Sequence, residues 1–476
     1  MKQIELISRA KDARRWQHEL AARLQAAGYG LLVTYIDAPE PEGRALDRAL
    51  ALTRRGPSLA DNAGPLGATA GERPDLAIDL TGRASGAPSE ILRVSLCGES
   101  SVPTGLARLL ANGLDAEILI SLAGQPVARA VPMIDDRLWL GRIGNSVLGA
   151  MITLIIATVD RYFSQGLEPL DVPRRSWKPA GLTGAYVRSF ATGISARMTR
   201  RLMGRPDAPW KIAYRLIDGP GVAETGRLDG APFIALPDDG KRFYADPFVI
   251  AHDGKLYLFV EEFPYATGKG VISVSELDAS GRFGTPRVVL EAPHHLSYPQ
   301  IVAHGGELYM LPESSGGDEL VLYRATRFPD GWERDTVLLS GVNINDATLL
   351  ERDGRFWLVG TSRMGTASAS DTMVVYGASS LRGPWLAHPL NPILIDRVAA
   401  RPGGAFIRQD GRLFLPVQDG SVTYGGGLGL TELLRLDDRQ VKWGEVRPIT
   451  PGAAWHCKGI HTLNRAGRLE VIDSVH

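Results

Sequence analysis

Carboxylates recur at equivalent places in the second half of this 476-residue chain, and so does the chemistry they allow. Five segments align on a turn glycine: YADPFVIAHDGKLYLFVEE, LSYPQIVAHGGELYMLPES, INDATLLERDGRFWLVGTS, RPGGAFIRQDGRLFLPVQD and KGIHTLNRAGRLEVIDSV. Early in each copy one column reads Asp246, Tyr298, Asp346, Gly403 and Gly459, with Gln300 and His461 two residues further on in their own copies. A later column reads Glu261, Glu313, Thr361, Gln418 and Ser474, and Arg401 precedes the fourth copy. Acids separated along the chain but facing one cavity are what glycosidic-bond cleavage needs. One protonates the leaving oxygen, a second activates water or attacks the sugar, and a third raises the acid's pKa by like-charge repulsion. Asp246, Glu313 and Asp346 are the candidate catalytic carboxylates. Tyr298, Gln300, Arg401 and His461 are the candidate substrate contacts. Each has a plainer reading. Asp246 beside Pro247, and Asp346, could cap turns. Glu313 could pair with a rim arginine, and His461 could be a hydrogen-bonded core residue.

The column argument needs an architecture that brings the copies together. The turn glycines Gly254, Gly306, Gly354, Gly411 and Gly467 repeat at a period near fifty, with short β runs between them. That is the mark of propeller blades, whose first strands line a central channel. The expected fold is a five-bladed propeller over 209–476. The last copy stops after two strands, so the β runs at 209–217 and 232–237 are expected to pair with it and close the ring. Ahead of it, residues 1–165 alternate strands and helices: QIELIS, a helix ending at Gly28, GLLVTYID, then PDLAIDLTG, EILRVSLCG and AEILISLAG. This pattern implies an open α/β sheet of parallel strands. Residues 38–74, rich in Gly, Ala and Pro, read as a loop, and 139–164 as a helix. Residues 166–208 read as a basic helical linker, with a possible peripheral contact to anionic lipid or polymer.

The totals exclude several classes. Lys+Arg and Asp+Glu both number 53, so the formal net charge is zero and no nucleic-acid surface is indicated. Two cysteines, Cys97 and Cys457, are too few for a disulfide framework and fit a reducing, cytoplasmic compartment. The apolar run Val147–Val159 is too short to span a bilayer, so no integral membrane segment is expected. No HExxH, CxxC or P-loop occurs, and no GxSxG elbow. No metal or cofactor is expected, and the glycine-rich 417–430 lies between strands rather than before a helix.

The N-terminal layout resembles the Rossmann-like domain of formyltransferases. That family's catalytic Asn-x-His has no counterpart, since ESSVPTG follows ILRVSLCG and the region's one histidine is His18. The resemblance therefore implies a degenerate domain, with sugar-nucleotide formyl transfer as an alternative. The repeats resemble the five-bladed arabinanase and β-xylosidase glycosidases. More closely, FYADPFV, LYLFVEE, LSYPQIV, LYMLPES, LYRAT and NDATLLERDGRFWL are similar to the N-terminal propeller of plant glucosamine inositolphosphorylceramide transferases. The glycosidase resemblance implies a base at Asp246 and a pKa-tuning acid at Asp346. Its general acid would fall in RPGGAFIRQDGRLFLPVQD, which offers no Glu and leaves Asp419 or Glu313. The expected function is glycoside hydrolysis on a carbohydrate or glycoconjugate, inverting if base and acid stand ~6.5–9.5 Å apart. The alternative is a non-catalytic carbohydrate-binding or scaffolding propeller.

Overall fold

The computed structural model describes residues 1–476 except 10–12, 38, 68–72, 85–89, 203–209, 423–424 and 476. Arg205 of the basic stretch and the first residue of the expected closing strand, at 209, lie outside the described residues. The chain divides into two compact units: Met1–Arg205 with Met364–Ser368, and Pro206–Arg363 with Ala369–His476.

In the first unit Gly30–Ile36, Gln3–Arg9, Leu76–Asp79 and Ile91–Leu96 pair in parallel, in that order. The expected all-parallel sheet is corrected here. Ile118–Leu122 runs antiparallel to Ile91–Leu96 and continues into Gln125–Val131 through a tight turn. Ala123 and Gly124 in that turn both have positive φ, 50° and 82°. A two-residue turn of this type returns the chain at once and can only join antiparallel strands. The stretch read as a loop at 38–74 contains the helix Gly43–Leu52. Buried Leu46 and Leu50 lie on one side of it, and the buried Arg14 guanidinium bonds to Glu40 at 2.8 Å and Asp47 at 2.9 Å. The expected helix near 139–164 is Leu140–Ser164. Its 25 residues are long and apolar enough to cross a membrane, but the helix is mostly buried inside the structure, as a core helix is. Leu182–Leu202 is a further helix.

The second unit is built from the repeats. The first gives the sheet Arg242–His252, Lys255–Pro264, Val271–Glu276 and Arg287–Leu290. The second gives Ser297–His304, Glu307–Glu313, Glu319–Arg327 and Gly331–Ser340. The fourth gives Ile407–Gln409, Arg412–Gln418, Leu428–Leu436 and Val441–Trp443, with Arg447–Pro448 beside the third of these. In the fifth, Leu463–Ala466 and Leu469–Ser474 pair with Lys211–Leu216 and then Ile234–Ala235, from ahead of the first repeat. A buried ion pair fixes this closure, with Arg215 Nε donating to Glu470 Oε2 at 2.8 Å.

Among the described residues, the repeats therefore form four self-contained sheets, not five. The third repeat pairs Ile344–Arg352, Arg355–Ser362 and Thr372–Ala378 antiparallel, but does not close as a sheet of its own. Its outer position is split between the short pieces Leu386–Ala387 and Leu394–Asp396. Pro384, Pro389 and Pro392 fall in this stretch and remove the donors that a continuous outer strand would need.

Apolar faces meet between successive repeats. Phe259 and Ile272 of the first pack with Met310 and Val321 of the second. Trp357 and Val359 of the third pack with Leu413 and Leu415 of the fourth. Leu428 and Leu430 of the fourth pack with Leu463 and Ile472 of the fifth. Tyr214 and Val471 of the fifth pack with Tyr244 and Leu258 of the first. These four clusters bury apolar faces between neighbouring repeats.

Candidate functional site

The early column of the repeats is marked by backbone strain. Asp246, Tyr298 and Asp346 have φ of 48°, 47° and 48°, the left-handed region that residues with a Cβ seldom occupy. Each opens a β-bulge. The register slips between Phe259 and Glu261 opposite Asp246–Pro247, between Ser297 and Gln300 at Tyr298–Pro299, and between Asn345 and Thr348 at Asp346–Ala347. A bulge whose first residue is left-handed re-aims that residue's side chain and amide. Three such residues without the usual glycine cost of order 1 kcal/mol each, and persist only where surrounding contacts hold them.

Those contacts are carboxylates, passed from one repeat to the next. The Asp246 N–H donates to Asp473 Oδ2 of the fifth repeat at 3.0 Å. The Tyr298 N–H donates to Asp246 Oδ2 at 3.3 Å, and the Asp346 N–H to Glu313 Oε2 at 2.9 Å. Asp246, Tyr298 and Asp346 are all buried. Each acid thus satisfies the buried amide at a neighbouring repeat's bulge.

The remaining oxygens are also committed. Asp246 Oδ1 lies 3.0 Å from His461 Nε2 and accepts from Thr462 Oγ1 at 3.1 Å. His461 Nδ1 stands 3.1 Å from Asp473 Oδ1, and Trp210 covers the ring with centroids 3.9 Å apart. Burial disfavours a charged imidazole, but Asp473 and Asp246 outweigh it and push His461 up to about 10. Burial also works to raise Asp246; the His461 charge, with Arg401 and Thr462, leaves it below the usual carboxylate range. Ligand atoms of Asp246, His461 and Asp473 lie within 4.8 Å of one another. A cation there would require His461 to give up the proton that balances both acids, so the group reads as a buried ion triad.

Asp346 is gripped from the other side. Arg401 Nε donates to its Oδ2 at 2.7 Å and Nη2 to its Oδ1 at 3.2 Å, while Gln418 Nε2 donates to Oδ2 at 2.6 Å. Burial and the nearby Glu313 and Asp246 charges drive its carboxyl well above the ordinary value, with Arg401 opposing. Arg401 Nη2 also stands 3.8 Å from Glu313, whose Oε1 accepts from Ser315 Oγ at 2.9 Å.

Two of the expected substrate contacts spend their polar atoms on the protein. The Tyr298 hydroxyl accepts from the Gly404 N–H at 2.6 Å, donates toward Gly404 O at 3.0 Å and lies 2.9 Å from Thr348 Oγ1. Gln300 Nε2 donates to Leu349 O at 3.0 Å, and its Oε1 accepts the Leu349 N–H at 2.7 Å. Tyr298 therefore ties the second repeat to the third and fourth, and Gln300 ties the second to the third. Asp419 accepts the Ser421 N–H at 2.8 Å, as a turn residue does.

Sequence reasoning placed Glu261 in the later column without giving it a role. It is buried, and its Oε1 lies 3.2 Å from Nε2 of His295, a rim residue 41% exposed. His295 Nδ1 accepts the Gly270 N–H at 3.0 Å, so in the neutral ring the proton sits on Nε2 and is donated to Glu261. A Cβ at residue 270 would come within 2.6 Å of this ring, which is why glycine stands there. Burial, then the Asp246 charge, raises Glu261. Phe263 lies 6.0 Å from His295 and stacks on Phe243 at 4.9 Å, with Tyr265 6.3 Å beyond. The signal that could have found this group was present in the aromatic spacing of the first repeat's outer ends.

Residues 236–470 match the family model described as glucosamine inositolphosphorylceramide transferase 1, N-terminal. The resemblance read from the repeats is thereby shown. A curated relative of that name from Oryza sativa subsp. indica is 35% identical over 238 residues, covering 48% of this chain and 31% of the relative. One from Arabidopsis thaliana is 32% identical over 295 residues, covering 61% and 36%. The chain thus spans about a third of the length of these relatives. Among solved structures, an α-L-arabinanase from Cellvibrio cellulosa aligns with a TM-score of 0.33 at 15% identity, over 42% of this chain and 77% of that one. A β-1,2-mannobiose phosphorylase from Listeria innocua aligns with a TM-score of 0.38 at 12% identity, over 50% and 92%.

Proposed function

We propose that residues 209–476 form a glycan-binding module, which takes a sugar or glycolipid head group beside Glu313 and Arg401, which stand 3.8 Å apart. One observation carries this choice over hydrolysis: the carboxylates are already engaged with the protein. Asp246 faces His461, Thr462 and the Tyr298 amide, and Asp346 faces Arg401 and Gln418. A general base must present an oxygen to water in the reacting complex. An acid held below its ordinary range by a charged imidazole is a weak base as well. The relatives' names concern transfer to a glycolipid, and the matched family is the N-terminal portion of such proteins, which supports a carbohydrate or glycolipid ligand.

Glycoside hydrolysis is the second reading. It is favoured by Asp246 and Glu261 being pushed in opposite directions from their ordinary values, as an ionised and a proton-carrying partner would be. In that reading Asp246 is the base, Glu313 or Glu261 the acid, and Asp346 the modulator.

A glycan array probed with the full 476-residue chain, followed by calorimetry and reducing-end analysis of each hit, separates the two. The binding reading expects saturable binding with the glycan recovered intact. Release of new reducing ends that stops in Asp246→Asn would replace it with hydrolysis. No binding to any glycan would remove both.

A further inference from the structure

The charges of this chain balance overall but not locally. Between Asp171 and Asp207 stand eight Lys or Arg residues and no acid. The helix Leu182–Leu202 of the first unit occupies most of that stretch. One side of it is packed. Leu182, Ala185 and Tyr186 are buried. The Phe190 ring meets those of Trp139 and Tyr186 at 5.4 and 5.8 Å. A Cβ at Gly193 would stand 3.0 Å from Leu138 Cδ1.

Another side carries apolar residues in the open. Val187 is 62% exposed and Met198 59%, with Ala191 exposed and Ile194 half-buried between them. At about 100° per residue, positions 187, 191, 194 and 198 fall within about 60° of arc, along about 17 Å of the axis, so they form one stripe. Arg188 and Arg197, both exposed, border that stripe about 90° to either side of its centre. Arg175, earlier in the basic stretch, is paired with Asp115 and Glu117 at 3.0 and 3.5 Å. Arg188 and Arg197 have no ion-pair partner among the described residues.

Charge selects what covers the stripe. A second copy of the chain would bring the same two arginines against one another across a self-complementary interface. A nucleic acid would pair the arginines and leave the apolar residues against phosphate and water. An acidic protein would need a groove shaped to four side chains, one of them alanine. An anionic bilayer needs no such shape: acyl chains conform to the stripe, and lipid phosphates reach the arginines on both borders. The packed side keeps the helix from going deeper, so it lies in the plane of the surface.

We infer that Leu182–Leu202 docks the first unit on an anionic bilayer, with Val187, Ile194 and Met198 against the upper acyl carbons and Arg188 and Arg197 at the lipid phosphates. This surface belongs to the first unit and is independent of the glycan site proposed for the second.

Vesicle flotation of the full chain tests it, on phosphatidylcholine alone and on phosphatidylcholine with about 30 mol% phosphatidylglycerol. Each Arg brought to an anionic surface multiplies partition about five-fold, so the pair alone gives about 25-fold tighter binding to the anionic vesicles, weakening as salt is raised. Arg188→Gln with Arg197→Gln should lose about 10-fold or more. Val187→Ser with Met198→Ser leaves the charge unchanged and should lose about 10-fold as well. All four side chains are exposed, so both double variants should keep the circular dichroism and thermal midpoint of the wild type. Equal binding to the two vesicles overturns the proposal, as does binding that survives both double variants. Loss in the arginine variant with none in the apolar one also overturns it, because charge would then act without docking of the stripe. No binding to either vesicle overturns it too, and leaves an acidic protein as the partner.

Discussion

The ion triad Asp246–His461–Asp473 makes the stability of the second unit depend on pH in a way that can be calculated. His461 is raised from an ordinary value of 6.5 to about 10, so its folded value lies above its unfolded one. A group shifted this way adds stability that is fully present below pH 6.5 and is lost as pH climbs through 10. The contribution is about 4–5 kcal/mol at or below pH 6.5, falling to about 1–2 kcal/mol by pH 9. His461→Gln removes the titrating group while keeping a planar side chain that donates to one carboxylate. The measurement is denaturant unfolding of wild type and His461→Gln at pH 6.5, 7.5, 8.3 and 9, following protection of Leu463, Ile472 and Val471 amides so that only the second unit is read. The stability gap between the two proteins should shrink by about 3 kcal/mol from pH 6.5 to 9. Ring-proton shifts of His461 by NMR should stay at the charged value through pH 8. Parallel stability curves, or a ring that deprotonates near 6.5, would refute the triad as an ionised unit.

Other substitutions test the remaining contacts. Arg401→Ala leaves Asp346 buried without its bidentate partner and should cost about 3–5 kcal/mol by urea unfolding, whereas Arg401→Met paired with Asp346→Leu should cost clearly less. Tyr298→Phe strips the hydroxyl that accepts the Gly404 amide and should lower stability by about 1–3 kcal/mol, with cross-repeat amide protection near Gly404 lost first. Gly404→Ala, at φ 145° with a Cβ that would stand 2.1 Å from Leu463 O, should abolish cooperative folding of the second unit, read as a lost near-ultraviolet circular dichroism signal.

The repeats were legible because their signals are local. Asp253–Gly254, Asp353–Gly354 and Asp410–Gly411 all take positive φ at both residues, the conformation their Asp-Gly pairs announce. The inward columns followed from that register, and with them the burial of Asp246 and Asp346. What the sequence withheld depends on partners far along the chain. Asp246 meets Thr462, 216 positions away, and Arg215 meets Glu470, 255 away; no periodicity announces either pairing. Tyr298 and Gln300 were read as ligand contacts because polar side chains at inward positions look alike until their hydrogen-bond partners are known. The antiparallel turn at Ala123–Gly124 escaped for a different reason: alanine is an uncommon occupant of a left-handed turn position.

The fifth sheet joins Lys211–Leu216 to Leu469–Ser474, and this orders events during synthesis. Lys211–Leu216 is translated long before Leu469–Ser474 and keeps one edge unsatisfied until that later segment leaves the ribosome. Until then Asp246 has neither His461 nor Asp473 beside it, and its left-handed bulge has no amide acceptor. The buried ion triad and the pairing of these strands therefore arrive together, and a nascent chain stalled before residue 461 has neither.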